Sequence, residues 1–491
     1  MKYLLHYVFV SYAAATCSLP LPQVTTLNGM VEGYCIIDTP MEVNAFLGIP
    51  FATPPTGSLR LEKPQPVENW AGVLNTKTQP PRCIQTPTSD PNSEDCLYLN
   101  VIAPANATGL PVVVVIHGGA FLGGGARQHG DIGIAKNLAS KGVVVVVIQY
   151  RLGLLGFGSF GDSVLPGNLG LFDMKLALEW VQDNIEFFGG NPDSVTLNGG
   201  SAGGAAIDCL SISPLTYNLF HKAWAFSGSC REMYTSIVNN TFQRASARGF
   251  TWTTTADLTA QLKATPNLTG LLTRWAIIKE DNFKVYNGEY GPIFDGDFFP
   301  IDNNSALRAA APIKPRVHGV TFHEGAMLAG AITITNSTLG DLLDVSIPTG
   351  TTDREYIIAH LRTQYEARAA ILEPADPVKH AFQAAFGERI IISSSKDVLD
   401  RLVELHGSSQ DAYLYVLKYF TPAAYGALYP YVSYASHGLE NNYMLAMGTY
   451  TYDSNDMIMV EMMTSAVSNF AKTGNPNTPL ALPITWEKKT T

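Results

Sequence analysis

Beyond its first residues the chain has no apolar run approaching the roughly 20 residues that a membrane-spanning helix needs, which excludes stable membrane insertion. It has no cluster of lysine and arginine either. With 32 basic against 42 acidic residues the net charge is −10, so nucleic acid is a poor partner. No linker, internal repeat, low-complexity tract or block of like charge divides the 491 residues, and residues 18–491 are expected to form one domain. No motif implies a metal or a cofactor. The C-terminal Glu487-Lys-Lys-Thr-Thr491 carries neither a retention tetrapeptide nor a hydrophobic tail. Charged residues are only 15% of the chain and hydrophobic ones 46%, a balance that can bury a core and argues against disorder.

The N-terminus is expected to be a secretory signal peptide over about residues 1–17. Met1-Lys2 is a minimal charged region, Tyr3 to Ala15 an apolar region, and Ala13-Ala14-Ala15 a small-residue cleavage site. Sequons for N-glycosylation at Asn106, Asn239, Asn267, Asn303 and Asn336 fit the same secreted or lumenal destination. Six cysteines suit an oxidising compartment. Cys83 and Cys96 bracket a polar, proline-containing loop and are the first expected pair; Cys209 and Cys230, flanking a helix and a strand, are the second. Cys35 either pairs with Cys17 or is free, and spacing alone leaves the connectivity open.

Strand-like runs rich in β-branched or aromatic residues recur at Pro111 to His117, Val143 to Tyr150, Val195 to Gly199, Ala223 to Ser227, Val317 to Thr321 and Ala412 to Phe420. Val143-Val-Val-Val-Val-Ile148 has no polar alternation, so both faces of that strand must be covered. Helical patterns lie between the runs, as in Asp173 to Phe187 with apolar Leu176, Leu178, Val181 and Ile185. Strands alternating with helices predict an α/β protein with a mostly parallel sheet covered by helices on both faces. Functional loops in such sheets lie beyond the carboxyl ends of the strands.

Within Thr196-Leu-Asn-Gly-Gly-Ser-Ala-Gly-Gly-Ala205, the segment Gly199-x-Ser201-x-Gly203 stands between a strand-like and a helix-like stretch. That is the pattern of a sharp turn presenting a nucleophilic serine, with glycines where strand and helix backbones approach closely. His117-Gly118-Gly119-Ala120-Phe121 follows a strand-like run, and the backbone N–H groups of Gly118 and Gly119, with that of Ala202, suit an oxyanion hole. Of four histidines after residue 330, His360, His380 and His406 fall in helical patterns; His437 alone lies in an irregular segment, Tyr434-Ala-Ser-His-Gly-Leu-Glu440, and is the expected general base. Glu324, just past Val317 to Thr321, is the expected acid. Asp295 and Asp297 compete with it from a turn-like segment, and His323 beside it should point the opposite way.

With these residues in order, the chain resembles the type-B carboxylesterases, the cholinesterase-like branch of the α/β-hydrolases, over almost its whole length. Further matching stretches are Phe46-Leu-Gly-Ile-Pro-Phe-Ala-Thr-Pro-Pro55, Ser93-Glu-Asp-Cys-Leu-Tyr-Leu-Asn100, Tyr150-Arg-Leu-Gly153, Pro166-Gly-Asn-Leu-Gly-Leu-Phe-Asp173 and Phe470-Ala-Lys-Thr-Gly-Asn-Pro-Asn477. The resemblance implies an α/β-hydrolase fold and a serine esterase working through an acyl-enzyme on small-molecule esters. It implies Ser201, Glu324 and His437 as the triad, Gly118, Gly119 and Ala202 as the oxyanion hole, and Ser227 as a support behind the triad. Ion pairs Arg60–Glu94 and Arg151–Asp173 would belong to the scaffold. Two other readings remain on this fold: a lipase for long-chain lipid esters and a catalytically inert adhesion protein. Three departures stand out. Gly200 replaces the glutamate that the family usually carries, the Cys83–Cys96 loop lacks the tryptophan with which cholinesterases bind quaternary ammonium, and the chain ends soon after Trp486, where relatives run further.

Overall fold

The six strand-like runs all become strands of one sheet. The computed structural model describes residues 20–37, 39–85, 90–230, 237–266, 290–328, 334–421, 434–445 and 452–490. The expected signal peptide, Cys17 and the sequon at Asn267 lie outside the described residues. In chain order the strands are β1 (Tyr34–Ile36), β2 (Val43–Pro50), β3 (Tyr98–Pro104), β4 (Leu110–Ile116), β5 (Val144–Ile148), β6 (Gly190–Gly200), β7 (Lys222–Phe226), β8 (Arg316–Thr321) and β9 (Ala412–Leu417). They lie in the order β9-β8-β7-β6-β4-β5-β3-β2-β1. The five pairings from β9 to β5 are parallel, and the three that carry the sheet on to β1 are antiparallel. A smaller sheet of Gln23–Thr25, Met30–Glu32 and Val73–Asn75 stands beside it.

The period-2 geometry of a strand sorts its side chains into two cores. Val112, Val114, Ile116, Val144, Val146 and Ile148 point to one face, where they meet helices α1 (Leu169–Asn184) and α2 (Ala202–Ile212). Val113, Val115, Val145 and Val147 point to the other, beneath α3 (Leu439–Leu445) and α4 (Ser454–Thr473). All five residues of β5 are 0% exposed. Each such side chain contributes roughly 1.5–3 kcal/mol by leaving water, so the continuous valine run is what clamps the two helical layers onto the sheet. The helix expected from Asp173 begins earlier, at Leu169, and runs into a 3₁₀ turn, Ile185–Phe188.

Two disulfides join Cys83 to Cys96 and Cys209 to Cys230, with Cα separations of 4.9 and 5.2 Å. Cys35 is also disulfide-bonded. The Arg60–Glu94 pair is bidentate at 2.6 and 2.5 Å, and Arg151 grips the buried Asp173 at 2.7 Å. Asn106, Asn239, Asn303 and Asn336 are exposed. Opening the Cys83–Cys96 loop with paired serines is expected to cost about 3 kcal/mol or less, since a short closed loop restrains the unfolded chain modestly. A denaturation midpoint unchanged from that of the parent would contradict this.

Candidate active site

Strand β6 ends at Gly200, α2 starts at Ala202, and Ser201 between them has φ 58° and ψ −127°. A non-glycine residue at this φ is strained, and the surroundings must enforce it. Ser201 N–H donates to Phe226 O on β7 at 2.8 Å, and Ala205 N–H to Ser201 O at 2.9 Å, so the turn is held from both sides. The flanking glycines are steric necessities: a Cβ on Gly199 would lie 2.5 Å from Ile116 O, and one on Gly203 2.1 Å from it.

His437 lies beyond β9, where the bridge between His323 and Ser436 fixes its approach. Its Nε2 is 2.8 Å from Ser201 Oγ and its Nδ1 2.7 Å from Glu324 Oε2. Glu324 follows β8 and is 1% exposed. Its other oxygen accepts from Thr321 N–H and from Ser227 Oγ–H, both at 2.7 Å. The carboxylate is thus turned toward the imidazole, and Nδ1–H toward it leaves Nε2 as the acceptor for the serine proton. Ser227 has φ 53° and is itself pinned by its N–H to Gly319 O at 2.8 Å. The arrangement can deprotonate a hydroxyl and return the proton to a leaving group.

The loop after β4 brings Gly118 against this turn: a Cβ there would lie 2.7 Å from Gly200 O and 3.0 Å from Ser201 Cβ. Gly119 has φ +122°, and a Cβ on it would lie 2.0 Å from Gly123 O. Ala202, as the first residue of α2, has an N–H outside the helical ladder, at the electropositive end of the helix.

The competing residues lie elsewhere. His360 is on the exposed part of helix Arg354–Leu372, and His406 ends helix Ser393–His406. His380, in helix Pro377–Gly387, is buried against His323 with ring centroids 4.3 Å apart. Asp295 accepts from the N–H groups of Asp297 and Phe299, and Asp297 pairs with Lys63. Burial depresses His117 to about 4 and, with His380 beside it, His323 to about 3, so both rings are neutral at physiological pH.

Two functional neighbours were not read from the sequence. Glu440, on α3 and fully buried, places Oε1 3.2 Å from Ser227 Oγ, whose hydrogen goes to the nearer Glu324. Burial, then the Glu324 charge, pushes its carboxyl well above the usual carboxylate range. Its place three residues after His437 was the available signal. The second is Phe226: a Cβ on Gly200 would lie 2.1 Å from its ring, so the phenyl fills the space that a side chain at 200 would need. Gly200→Glu is therefore expected to overpack the site by about 1–3 kcal/mol, read as a lowered Tm. A Gly200→Glu protein that melts like the parent would contradict the overlap.

A doubly covered, mostly parallel sheet with a serine at the sharp turn between a central strand and its helix defines an α/β-hydrolase. Residues 20–491 match the carboxylesterase family, to which the chain belongs; it is a carboxylic ester hydrolase. It is similar to esterase cest-33 of Caenorhabditis elegans, 32% identical over 94% of this chain and 86% of that one. Carboxylesterase 3B of Mus musculus is also 32% identical, over 93% of this chain and 83% of its own. Carboxylesterase 1E of Rattus norvegicus reaches 48%, over 42% of this chain and 40% of its own.

Proposed function

We propose that this protein is a secreted serine carboxylesterase that hydrolyses neutral esters of short to medium acyl chains through an acyl-enzyme. Ser201 Oγ attacks the ester carbonyl carbon as His437 Nε2 takes its proton. Glu324 stabilises the imidazolium, and the N–H groups of Gly118, Gly119 and Ala202 stabilise the oxyanion. The carbonyl re-forms, the alcohol leaves with the proton from His437, and water repeats the sequence on the acyl-serine. The observation that carries this reading is the continuous Ser201–His437–Glu324 hydrogen-bonded relay at 2.8 and 2.7 Å. Residues 18–491 act as one catalytic domain. The apolar leader over residues 1–17, the sequons and the disulfides support passage through the secretory pathway.

The acyl preference follows from the Cys83–Cys96 loop. A lipid-responsive lid must swing away and offer an apolar face. Here Ile84 packs on the core, Gln85 brackets Gly124 with bonds of 2.7 and 3.0 Å, and Asp90 pairs with Arg82 and Arg127 at 2.5 and 3.3 Å. Choline esters lose an aromatic cation contact worth about 2 kcal/mol when desolvated, and glycine at position 200 removes a carboxylate from the site. A panel of p-nitrophenyl esters of increasing acyl length, run beside butyrylthiocholine and emulsified triolein, tests the proposal. The highest kcat/KM is expected for acyl chains near butyrate. Preference for either of the other two substrates would overturn the specificity, and no hydrolysis of any ester would overturn the function.

A further inference from the structure

The residues that supply the oxyanion donors are themselves held by a stacked pair of rings. Tyr150, two residues beyond β5, is 0% exposed, and its ring lies on the imidazole of His117 with centroids 4.3 Å apart and planes 13° from parallel. Tyr150 Oη–H donates to His117 O at 2.7 Å. His117 Nδ1 is 2.9 Å from Gly118 O; a carbonyl only accepts, so Nδ1 carries the hydrogen. These two carbonyls are not arbitrary ones. A peptide unit is planar, with the C=O of one residue and the N–H of the next fixed in one plane. The His117 carbonyl shares its plane with Gly118 N–H, and the Gly118 carbonyl shares its plane with Gly119 N–H. Each of the two loop N–H groups assigned to the oxyanion thus belongs to a peptide whose opposite end is hydrogen-bonded by one of the stacked rings.

We propose that Tyr150 and His117 are positioning residues that aim and polarise the two loop donors of the oxyanion hole, a role that rests on the serine-esterase reading of the site. Holding the carbonyl end fixes where the N–H points before substrate arrives. A hydrogen bond into a carbonyl also draws electron density from its amide nitrogen, which makes that N–H a stronger donor. The surroundings protect the device. A Cβ on Gly124 would lie 2.4 Å from Gly118 O and 2.5 Å from His117 Nδ1, so glycine there leaves room for the second bond. Gln85 fixes Gly124 from both of its backbone polar groups. Burial depresses His117 to about 4, so the ring remains neutral with its single N–H committed to Gly118.

The test is Tyr150→Phe, which keeps the stacked ring and removes only the hydroxyl, with Gly124→Ala as a second variant that crowds the His117–Gly118 bond. Both are measured per serine titrated with a fluorophosphonate. A trifluoromethyl ketone, whose carbonyl carbon bonds Ser201 Oγ to give a hemiketal oxyanion, reports on the donors; the corresponding methyl ketone reports on ground-state binding. Removing a direct oxyanion donor costs about 10²–10³-fold, so loss of one carbonyl bond behind it is expected to lower kcat about tenfold. KM should stay within about twofold, and trifluoromethyl ketone affinity should fall by the same factor as kcat while methyl ketone affinity does not. Phe157→Leu, which loosens packing edge-on to Tyr150 at 6.3 Å, should lower Tm without changing the ratio of the two ketone affinities. A Tyr150→Phe enzyme with parental kcat per titrated serine and an unchanged ketone ratio would overturn the inference alone. A parent enzyme that hydrolyses esters without labelling at Ser201 would overturn the nucleophile assignment and this inference with it.

Discussion

Ser201→Ala, His437→Ala and the double variant are expected to lose the same activity, on the order of 10⁵- to 10⁶-fold in kcat, because the groups act as one proton relay and breaking any link breaks it. The geometry makes the links contiguous: Oγ to Nε2 at 2.8 Å and Nδ1 to Glu324 at 2.7 Å. Glu324→Gln should cost less, on the order of 10⁴-fold, since the amide keeps the shape but favours the wrong imidazole tautomer. The remaining rate is expected to come from the proposed oxyanion donors. The check is steady-state kcat on p-nitrophenyl butyrate for folded variants. Losses that multiply in the double variant would contradict a single relay.

Asp208→Asn is expected to destabilise the protein by about 3–5 kcal/mol at neutral pH, because it strands buried positive charge. Asp208 lies on α2, the helix that presents Ser201, and is 0% exposed. It accepts from Arg308 at 2.8 and 2.9 Å, from Arg316 at 3.2 Å and from Cys230 N–H at 2.9 Å. Burial by itself would raise its pKa, but Arg308 first and then Arg316 overcome that and hold the carboxyl well below the usual range. Arg316, pulled down by burial to about 10, is still cationic at pH 7. The sign follows. A carboxylate whose folded-state pKa is depressed adds stability that is fully present above its unfolded pKa of about 4 and is lost as pH falls toward the folded value. The gap between parent and Asp208→Asn in urea unfolding should therefore be full at pH 7 and shrink below about pH 4. A gap under about 1 kcal/mol at pH 7 would mean that the cluster is an exposed-type ion pair.

What could be read in the sequence was whatever is encoded locally. The strands β4 to β9 are legible from runs of β-branched or aromatic residues, most plainly β4 and β5, whose continuous Val/Ile stretches can only be covered on both faces. The strands β1 to β3 were not read, because polar or turn-forming residues interrupt them. Asn44 and Gly48 break β2, and Asn100 breaks β3. The fold accepts that asparagine by satisfying it: Asn100 Oδ1 takes Gly48 N–H at 2.9 Å, and its Nδ2 donates to Gln79 at 2.8 Å. Ser201 and the two glycines of the loop could be found because close backbone approach demands glycine at fixed offsets. Asp208 could not, since its arginines lie 100 and 108 residues further along the chain and meet it only through the order of β6, β7 and β8. Phe226 escaped for the same reason: it opposes Gly200 by the register of β6 on β7, not by any sequence pattern.

The most direct test of the account is to treat the protein with an excess of a fluorophosphonate, follow esterase activity, and map the adduct by mass spectrometry. One adduct per chain on Ser201, forming at the rate at which activity disappears and absent from Ser201→Ala, is the predicted result. Full inhibition with the adduct on another residue, or full activity with Ser201 modified, would contradict the account.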